Sequence, residues 1–136
     1  MFQLEFWSAF REAAKEDKDF LQVFNLRKAY GQSFYDLSIG NSGCLISLRV
    51  STKKNQVSAL LYIRGDEDLF SSLLNESRTI EQEMGCKMEW NENPKDSTII
   101  CTYKGNVRNK ETWPELFAWM RKTAIQIRKV FKPRVG

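Results

Sequence analysis

The sequence predicts an α+β protein in which a mainly antiparallel five-stranded sheet carries helices packed on one of its faces. Two observations lead to this prediction. Residues 34–63 alternate apolar and polar side chains over three short segments with turn-like connectors, which is typical of consecutive antiparallel strands. Segments of helical periodicity and a further pair of strand-like segments flank this meander, giving the order α-β-β-β-α-β-β-α. The order of the strands within the sheet stays undetermined.

The N-terminal segment, residues 2–17, is predicted to form the first helix. Trp7 lies beside a stripe of side chains at helical spacing, and charged residues fill the other side. The stripe consists of Phe6, Phe10, Ala13 and Ala14. Residues 18–33 are too apolar for a free loop, and their pattern leaves short helical and extended pieces equally open.

The meander is predicted to contain strands at residues 34–39, 44–51 and 57–64. One alternate set of side chains in each strand is apolar and is expected to face the helices. This set consists of Tyr35, Leu37, Ile39, Cys44, Ile46, Leu48, Val50, Val57, Ala59, Leu61 and Ile63. The other set is more polar, and we call the surface that it forms the outer face.

The clearest helix is predicted from Asp66 to Met84. Acidic residues at its start suit the positive end of the helix dipole, and Gly85 follows its last apolar residue, as expected for a left-handed C-cap. Residues 86–91 and 97–104 then alternate like two strands, and the polar link between them predicts a hairpin.

The last helix is predicted to begin at Thr112. Thr112 and Glu115 have the spacing of a capping box, and Pro114 suits a first helical turn. We expect Lys132-Pro133 to end the helix. Its apolar face consists of Leu116, Phe117, Met120, Ala124, Ile127 and Phe131.

The chain has 136 residues, which favours a single domain over residues 1–136. Its 42% apolar and 28% charged residues are ordinary for a soluble domain. No run approaches the roughly 18 apolar residues of a membrane span, and the first residues lack the pattern of a secretory signal. We therefore expect a cytoplasmic protein without a membrane partner.

Several classes of chemistry are excluded by composition. The sequence contains no histidine, which removes Ser-His and Cys-His catalysis and His-ligated metals. Phosphate-binding motifs of the GxxxxGK[ST] and GxGxxG types are also missing. Cys44, Cys86 and Cys101 are widely spaced without CxxC, and we interpret them as small buried hydrophobic residues rather than as redox or zinc-binding residues. We therefore predict no cofactor and no metal site.

A set of short stretches along nearly the whole chain resembles one known family. These stretches are Phe6-Trp7, FYDLSIG at residues 34–40, Ser42-Gly43, residues 61–63, Glu89-Trp90, residues 113–116, Trp119-Met120 and residues 129–131. The resemblance is to a short bacterial family, domain of unknown function 4268. Its members occur alone or fused behind a nuclease-like domain of the PD-(D/E)xK type. The resemblance thus implies an accessory module near DNA-processing or defence systems, with no activity to carry over.

The nuclease signature itself is missing from this chain. Such a site needs an Asp on one strand and Glu-x-Lys on the next, because the carboxylates hold the metal and the lysine assists the attacking water. Asp36 is followed on the next strand by Ser47-Leu48-Arg49 instead. We therefore predict no nuclease activity and assign no catalytic residue, while the pattern favours a non-enzymatic protein without deciding the question.

The outer face is the first candidate for a functional surface, because it mixes aromatic side chains with arginine as protein interfaces and nucleic-acid platforms both do. The candidate residues are Arg27, Phe34, Tyr35, Asp36, Ser38, Arg49 and Tyr62. Our main hypothesis is an interaction module that binds a protein partner, or itself as a homodimer. Its exposed anchors would be Phe34, Leu45, Leu60 and Tyr62.

Two alternatives for the outer face stay open. It could be a solvated surface on which Asp36 pairs with Arg49 or Arg27. It could also carry an enzyme site without histidine, in which Asp36, Tyr35 and Arg27 take part. An enclosed pocket around Asp36 would favour the second alternative.

The basic C-terminal region is the second candidate surface. Residues 104–136 hold nine Lys/Arg and two Glu, a net charge of +7, whereas residues 1–103 carry −3. Such asymmetry suggests an acidic partner, and nucleic acid is the alternative hypothesis. The candidate phosphate contacts are Lys104, Arg108, Lys110, Arg121, Lys122, Arg128 and Lys129. An ordinary amphipathic helix, with basic residues favoured at its C-terminus by the dipole, explains the same pattern.

Overall fold

The computed structural model describes residues 2–136, and within this range the chain forms five α-helices and one five-stranded antiparallel sheet. The helices are α1 (Phe2–Ala14), α2 (Lys18–Val23), α3 (Glu67–Asn75), α4 (Ser77–Met84) and α5 (Trp113–Val135). The strands are β1 (Phe34–Ser38), β2 (Cys44–Ser51), β3 (Gln56–Arg64), β4 (Glu89–Asn91) and β5 (Asp96–Lys104). The predicted α+β class and element order are confirmed.

The strands lie in the order β1-β2-β3-β5-β4, so the meander occupies one side of the sheet and the second hairpin joins it through β5. The register aligns side chains into rows across the sheet. One row on the helix-covered inner face consists of Leu37, Ile46, Leu61 and Ile99. The adjacent row projects from the outer face because side chains alternate, and it consists of Asp36, Ser47, Leu60 and Ile100.

The core lies between the inner face and the helices. The Phe6 ring of α1 lies 5.2 Å from the Trp113 ring and 5.0 Å from the Phe117 ring of α5. Trp7 stacks on Tyr35 of β1 at 5.6 Å, and its indole N–H donates to the carbonyl oxygen of Gln32 at 2.7 Å. The apolar stripes predicted for the first and last helices are therefore core.

The first helix is shorter than predicted, because Asp17 starts a second helix. α1 ends at Ala14, and the Asp17 side chain accepts a hydrogen bond at 3.0 Å from the N–H of Phe20 in α2. A carboxylate at this position satisfies an amide that the helix leaves free. The segment that the sequence left undecided thus contains one short helix followed by extended chain.

The predicted helix over residues 66–84 is two helices, α3 and α4, which meet at Glu76. Glu76 has φ −101° and ψ 14°, and its N–H bonds to the carbonyls of Leu73 and Leu74. Asn75 and Ser77 flank the break, and such side chains compete with the helix for main-chain hydrogen bonds. The predicted C-cap is confirmed: Gly85 follows α4 with φ 77°. Among the helices of residues 2–136, none combines the length and hydropathy needed to cross a membrane.

The predicted capping box of the last helix is not formed. The Thr112 hydroxyl donates to the carbonyls of Asn106 and Asn109, both at 2.7 Å, within a 3₁₀ turn at Lys110–Thr112 that precedes α5. Glu115 instead accepts a hydrogen bond at 2.9 Å from the Tyr103 hydroxyl. The contact of Glu115 with Tyr103 of β5 therefore replaces the local capping contact that the spacing of Thr112 and Glu115 predicted.

Pro133 does not end α5, which continues to Val135. A proline lacks only its own N–H donor, so in the last turn it removes a single helical hydrogen bond. The turn is closed by the Gly136 N–H, which bonds to the Lys132 carbonyl at 3.2 Å.

The strand predicted for residues 86–91 forms only over Glu89–Asn91. Met88 leaves the ladder because its N–H donates to the Glu81 carboxylate of α4 at 2.7 Å. β4 consequently pairs with β5 only opposite Thr98–Ile100. On the same edge, the part of β5 that follows Ile100 lies beside the chain that connects α4 to β4.

Candidate interaction surface

The outer face is left uncovered by the helices of residues 2–136. Where these helices meet the sheet, their side chains meet the inner face: Trp119 of α5 stacks on Tyr103, and Phe70 of α3 contacts Trp90. Leu61 belongs to the core cluster, whereas its neighbour Leu60 on the outer face does not. The apolar alternate set thus faces the helices, as the sequence predicts, and the more polar set forms the outer face.

A depression of about 280 Å³ lies on the outer face over β1, β2 and β3. It is lined by Phe34, Asp36, Leu45, Ser47, Arg49, Tyr62 and Arg64. The large hydrophobic side chain of Phe34 exposes 39% of its surface to solvent, and Tyr62 is half-buried. The depression therefore offers aromatic surface beside charged groups.

Three charged side chains of the depression have no opposite charge bound to them. Asp36, Arg49 and Arg64 form no ion pair with any residue in the range 2–136. The pairing of Asp36 with Arg49 or Arg27 considered from the sequence is therefore not formed. These groups remain free to meet charges on another molecule.

Tyr62 contributes a neutral hydroxyl to the same region. Interaction with the neighbouring Asp96 carboxylate, together with burial, raises the pKa of Tyr62 above its usual value of 10.0. The phenol therefore stays protonated at neutral pH and can donate a hydrogen bond.

Tyr35 does not belong to the outer face, which corrects its place among the candidate residues. Its side chain is 3% exposed on the inner face, and burial raises the pKa of its hydroxyl. The hydroxyl accepts from the Arg27 N–H at 2.7 Å and donates to the Arg27 carbonyl. Tyr35 and Arg27 thus anchor the segment before β1, and the structure does not gather them with Asp36 into one site.

Leu60 is also corrected, since it was expected to be an exposed anchor. It is 0% exposed although it projects from the outer face. Ser47 and Ile100 are its neighbours across the strands, and Ser47 is itself 2% exposed. The centre of the outer face is thus closed by its own side chains, and the depression lies on the side of this centre toward Phe34. Ser38, the last candidate, is exposed at the end of β1.

The depression contains Arg64, which sequence reasoning left out of the candidate set. Arg64 is the last residue of β3 and lies opposite Asp96. Its place follows from the same alternation that puts Tyr62 on the outer face. The strand predicted for residues 57–64 already ends at Arg64, so the signal was present in the sequence.

Two of the seven basic candidates are neutralised within the chain. Lys110 pairs with Glu5 and Arg121 pairs with Asp17, each at 2.7 Å. Arg121 is the more buried of the two, because only 16% of its side chain is exposed. Its pairing holds α5 against the start of α2.

The Arg121–Asp17 pair also perturbs Asp17. Burial opposes ionisation of Asp17, but the Phe20 N–H and the Arg121 guanidinium outweigh it and lower the pKa of the carboxyl below 3.8. This pair is therefore part of the folded structure rather than of a free basic surface.

The other basic candidates are distributed over more than one side of the molecule. They form no ion pair with residues 2–136, and they consist of Lys104, Arg108, Lys122, Arg128 and Lys129. Lys104 ends β5, and Arg108 lies in the loop before α5. Lys122 and Lys129 are seven residues apart on α5, which places them on the same helix face.

Comparison with known proteins identifies the family. The model of the family described as "Domain of unknown function (DUF4268)" matches residues 2–135, and the chain belongs to this family. No protein with a curated description matches the chain. This family assignment confirms the resemblance found in the sequence.

A solved structure shares the fold. It is described as "YbjN, a putative transcription regulator from E. coli" and has a TM-score of 0.54. The match covers 93% of this chain and 89% of that chain, at 15% sequence identity. At this level of identity the likeness extends to the fold alone.

Proposed function

We propose that this member of the DUF4268 family is an interaction module that binds a protein partner, or a second copy of itself, through the depression on the outer face. The observation that carries the proposal is the combination of two arginines without ion pairs and two aromatic side chains around one depression. Arginine and tyrosine are enriched among the residues that dominate binding energy at protein interfaces.

The shape of the surface fits a protein better than a small molecule. The depression is bounded by one layer of side chains on an open sheet face, whereas small-molecule sites enclose most of the ligand. Phe34, with 39% of its surface exposed, offers apolar area that a partner can cover. Arg49 and Arg64 favour an acidic group on the partner, and Asp36 favours a basic one beside it.

The first experiment measures the size of the purified protein by light scattering over a wide range of concentrations. The same protein, immobilised, is then used to capture partners from a host extract. The test variant is Arg49→Ala/Arg64→Ala, which removes two positive charges from the depression. We expect it to lose the dimer or the captured partner.

The matched control removes the same charge elsewhere. Lys18→Ala/Arg78→Ala changes two exposed basic residues of α2 and α4, in the helical layer. We expect this variant to associate like the wild type. The proposal fails if the two double variants lose association equally, or if the wild type is a monomer without any retained partner.

A second candidate function is nucleic-acid binding as an accessory module of a DNA-processing or defence system. The observation in its favour is the net charge of +7 in residues 104–136, where five of the seven candidate side chains lack ion pairs with residues 2–136. Contacts of this kind bind phosphate as charge without reading base sequence.

The test of this alternative is the salt dependence of DNA binding, measured by fluorescence anisotropy between about 50 and 200 mM salt. Lys122→Gln/Lys129→Gln should weaken binding and reduce its salt slope, whereas Arg49→Ala/Arg64→Ala should leave both unchanged. Absent binding, or binding that does not respond to salt, would reject the alternative.

A further inference from the structure

A groove separate from the outer face lies between the end of α4, the edge of β5 and α5. Its volume is about 310 Å³, and its lining includes Cys86, Lys87, Cys101, Trp119, Lys122 and Gln126. The groove exists because β4 pairs with β5 only as far as Ile100. The chain at Gly85–Lys87 therefore runs beside β5 without joining the sheet.

The main-chain pattern of β5 confirms that this edge is open. Gly105 donates its N–H to the Asn55 carbonyl across the β3–β5 ladder. In an antiparallel pair the hydrogen-bonded residues alternate, so Thr102 and Lys104 direct their main-chain groups away from β3. No strand within residues 2–136 takes up those groups, which leaves the groove accessible from solvent.

Two of the three cysteines meet in this groove. The sulfur atoms of Cys86 and Cys101 lie 3.0 Å apart, closer than sulfur atoms that merely pack together. Cys86 is exposed, whereas Cys101 is 2% exposed on the inner face of β5. Cys44 is buried two rows farther along the inner face, so it does not take part in this pair.

The two sulfur atoms differ in what can reach them. Cys86 is open to solvent, and it follows Gly85, which ends α4 in a left-handed conformation. Cys101 is shielded from solvent, and both burial and its contact with Cys86 raise the pKa of its thiol. A dissolved oxidant therefore meets Cys86 first, because the raised pKa keeps the Cys101 thiol protonated and slow to react. The 3.0 Å contact, rather than the pKa of Cys101, is what positions its sulfur to react with the oxidised form of Cys86.

We propose that Cys86 and Cys101 form a redox-modification site, at which a hydroperoxide converts the two thiols into a reversible disulfide. In the first step the Cys86 sulfur attacks one peroxide oxygen of H₂O₂, and the O–O bond breaks. The products are a sulfenic acid on Cys86 and one water, which receives the thiol proton.

In the second step the Cys101 sulfur attacks the Cys86 sulfur. The S–S bond forms as the S–O bond breaks, and the hydroxide leaves with the Cys101 proton as a second water. The two thiols thus lose two electrons and two protons, and one peroxide is reduced to two waters. The disulfide would fix the free segment Gly85–Lys87 to the edge of β5 and set the width of the groove.

The test is oxidation of the full chain with hydrogen peroxide, followed by mass spectrometry and by thiol titration under denaturing conditions. We expect the mass to fall by two hydrogen atoms and the titratable thiols to fall from three to one. A peptide map should join Cys86 to Cys101, and dithiothreitol should restore all three thiols. The oxidised form should melt at least about 5 °C higher, because the disulfide closes a loop of about 15 residues.

Three variants separate this site from ordinary thiol oxidation. Cys44→Ala should form the disulfide as the wild type does. Cys101→Ala should accumulate sulfenic acid on Cys86 that dimedone traps, and Cys86→Ser, which changes an exposed residue, should show no fast oxidation. Wild type in which Cys86 gains oxygen without the loss of two hydrogen atoms would overturn the proposal, as would a disulfide that includes Cys44.

Discussion

The inner and outer faces of the sheet are built from alternate residues of the same strands, yet their side chains are buried in different ways. The inner face is sealed by the helices, with Trp7, Phe10 and Phe117 buried against it. The outer face is closed only at its centre, around Leu60 and Ser47, by its own side chains. Burial and helix contact are therefore separate properties, so a strand residue can be structural without belonging to the main core.

The largest expected effect is on the inner face, at Phe10. Its ring lies within 6.1 Å of four others, those of Trp7, Phe20, Tyr35 and Phe117. We expect Phe10→Ala to lower the free energy of unfolding by about 3–5 kcal/mol, because it removes buried area and leaves a cavity between elements. Urea unfolding followed by tryptophan fluorescence measures this loss. A loss below about 1 kcal/mol would contradict the close packing of Phe10 among these four rings.

The neighbours Leu60 and Leu61 project from opposite faces of β3, and both are 0% exposed. Leu61→Ala should cost about 3–4 kcal/mol, and Leu60→Ala about 2 kcal/mol, since water can fill a space that opens on the outer face. The two variants are each other's control in the same unfolding experiment. Equal losses would mean that the outer face is as tightly packed as the inner one.

The ion pair between Asp17 and Arg121 is expected to have a smaller effect. Asp17→Asn keeps a side chain that can cap α2 but removes the charge, and we expect a loss of about 1–2 kcal/mol. Asp17→Ala should cost more because it removes the cap as well. Thermal and urea unfolding of the two variants separate the contributions of the cap and of the charge.

The same pair gives a dependence on pH with a definite sign. The pKa of Asp17 is lowered in the folded state, so the pair contributes its full stability above the unfolded value of 3.8. That contribution is lost as the pH falls through the folded pKa, below the unfolded value. The difference in stability between wild type and Asp17→Asn should therefore be constant near neutral pH and shrink in acid.

Much of the fold could be predicted because period-two and period-3.6 patterns report burial directly. The inner-face set from Tyr35 to Ile63 and the apolar face of α5 follow from alternation and spacing alone. The errors fall where a tertiary contact competes with a local one. Thr112 bonds to loop carbonyls rather than capping α5, and Met88 donates to Glu81 rather than to β5.

The candidate sites were less predictable, because they depend on registers that a single sequence does not fix. The pattern placed Asp36, Arg49 and Tyr62 on one face, but the closure of that face around Leu60 needed the pairing of all its strands. Cys86 and Cys101 lie 15 residues apart, and their contact depends on how the second hairpin is aligned. The β4–β5 register alone would set Cys86 opposite Tyr103, so the contact also depends on the segment before β4, which lies outside the ladder.

Phe34, beside the depression on the outer face, is expected to have the smallest effect on stability and yet a clear effect on binding. Phe34→Ala should change the free energy of unfolding by less than about 0.5 kcal/mol, because this side chain is exposed and lies outside the core cluster. If the outer face binds a partner, the same change should weaken association at least about tenfold, since aromatic anchors carry much of the energy of an interface. Phe34→Tyr keeps the ring and is expected to retain binding, and light scattering or surface plasmon resonance compares the three proteins. A destabilised Phe34→Ala would place this residue with the structural set, whereas unchanged stability with unchanged binding would remove it from the interface.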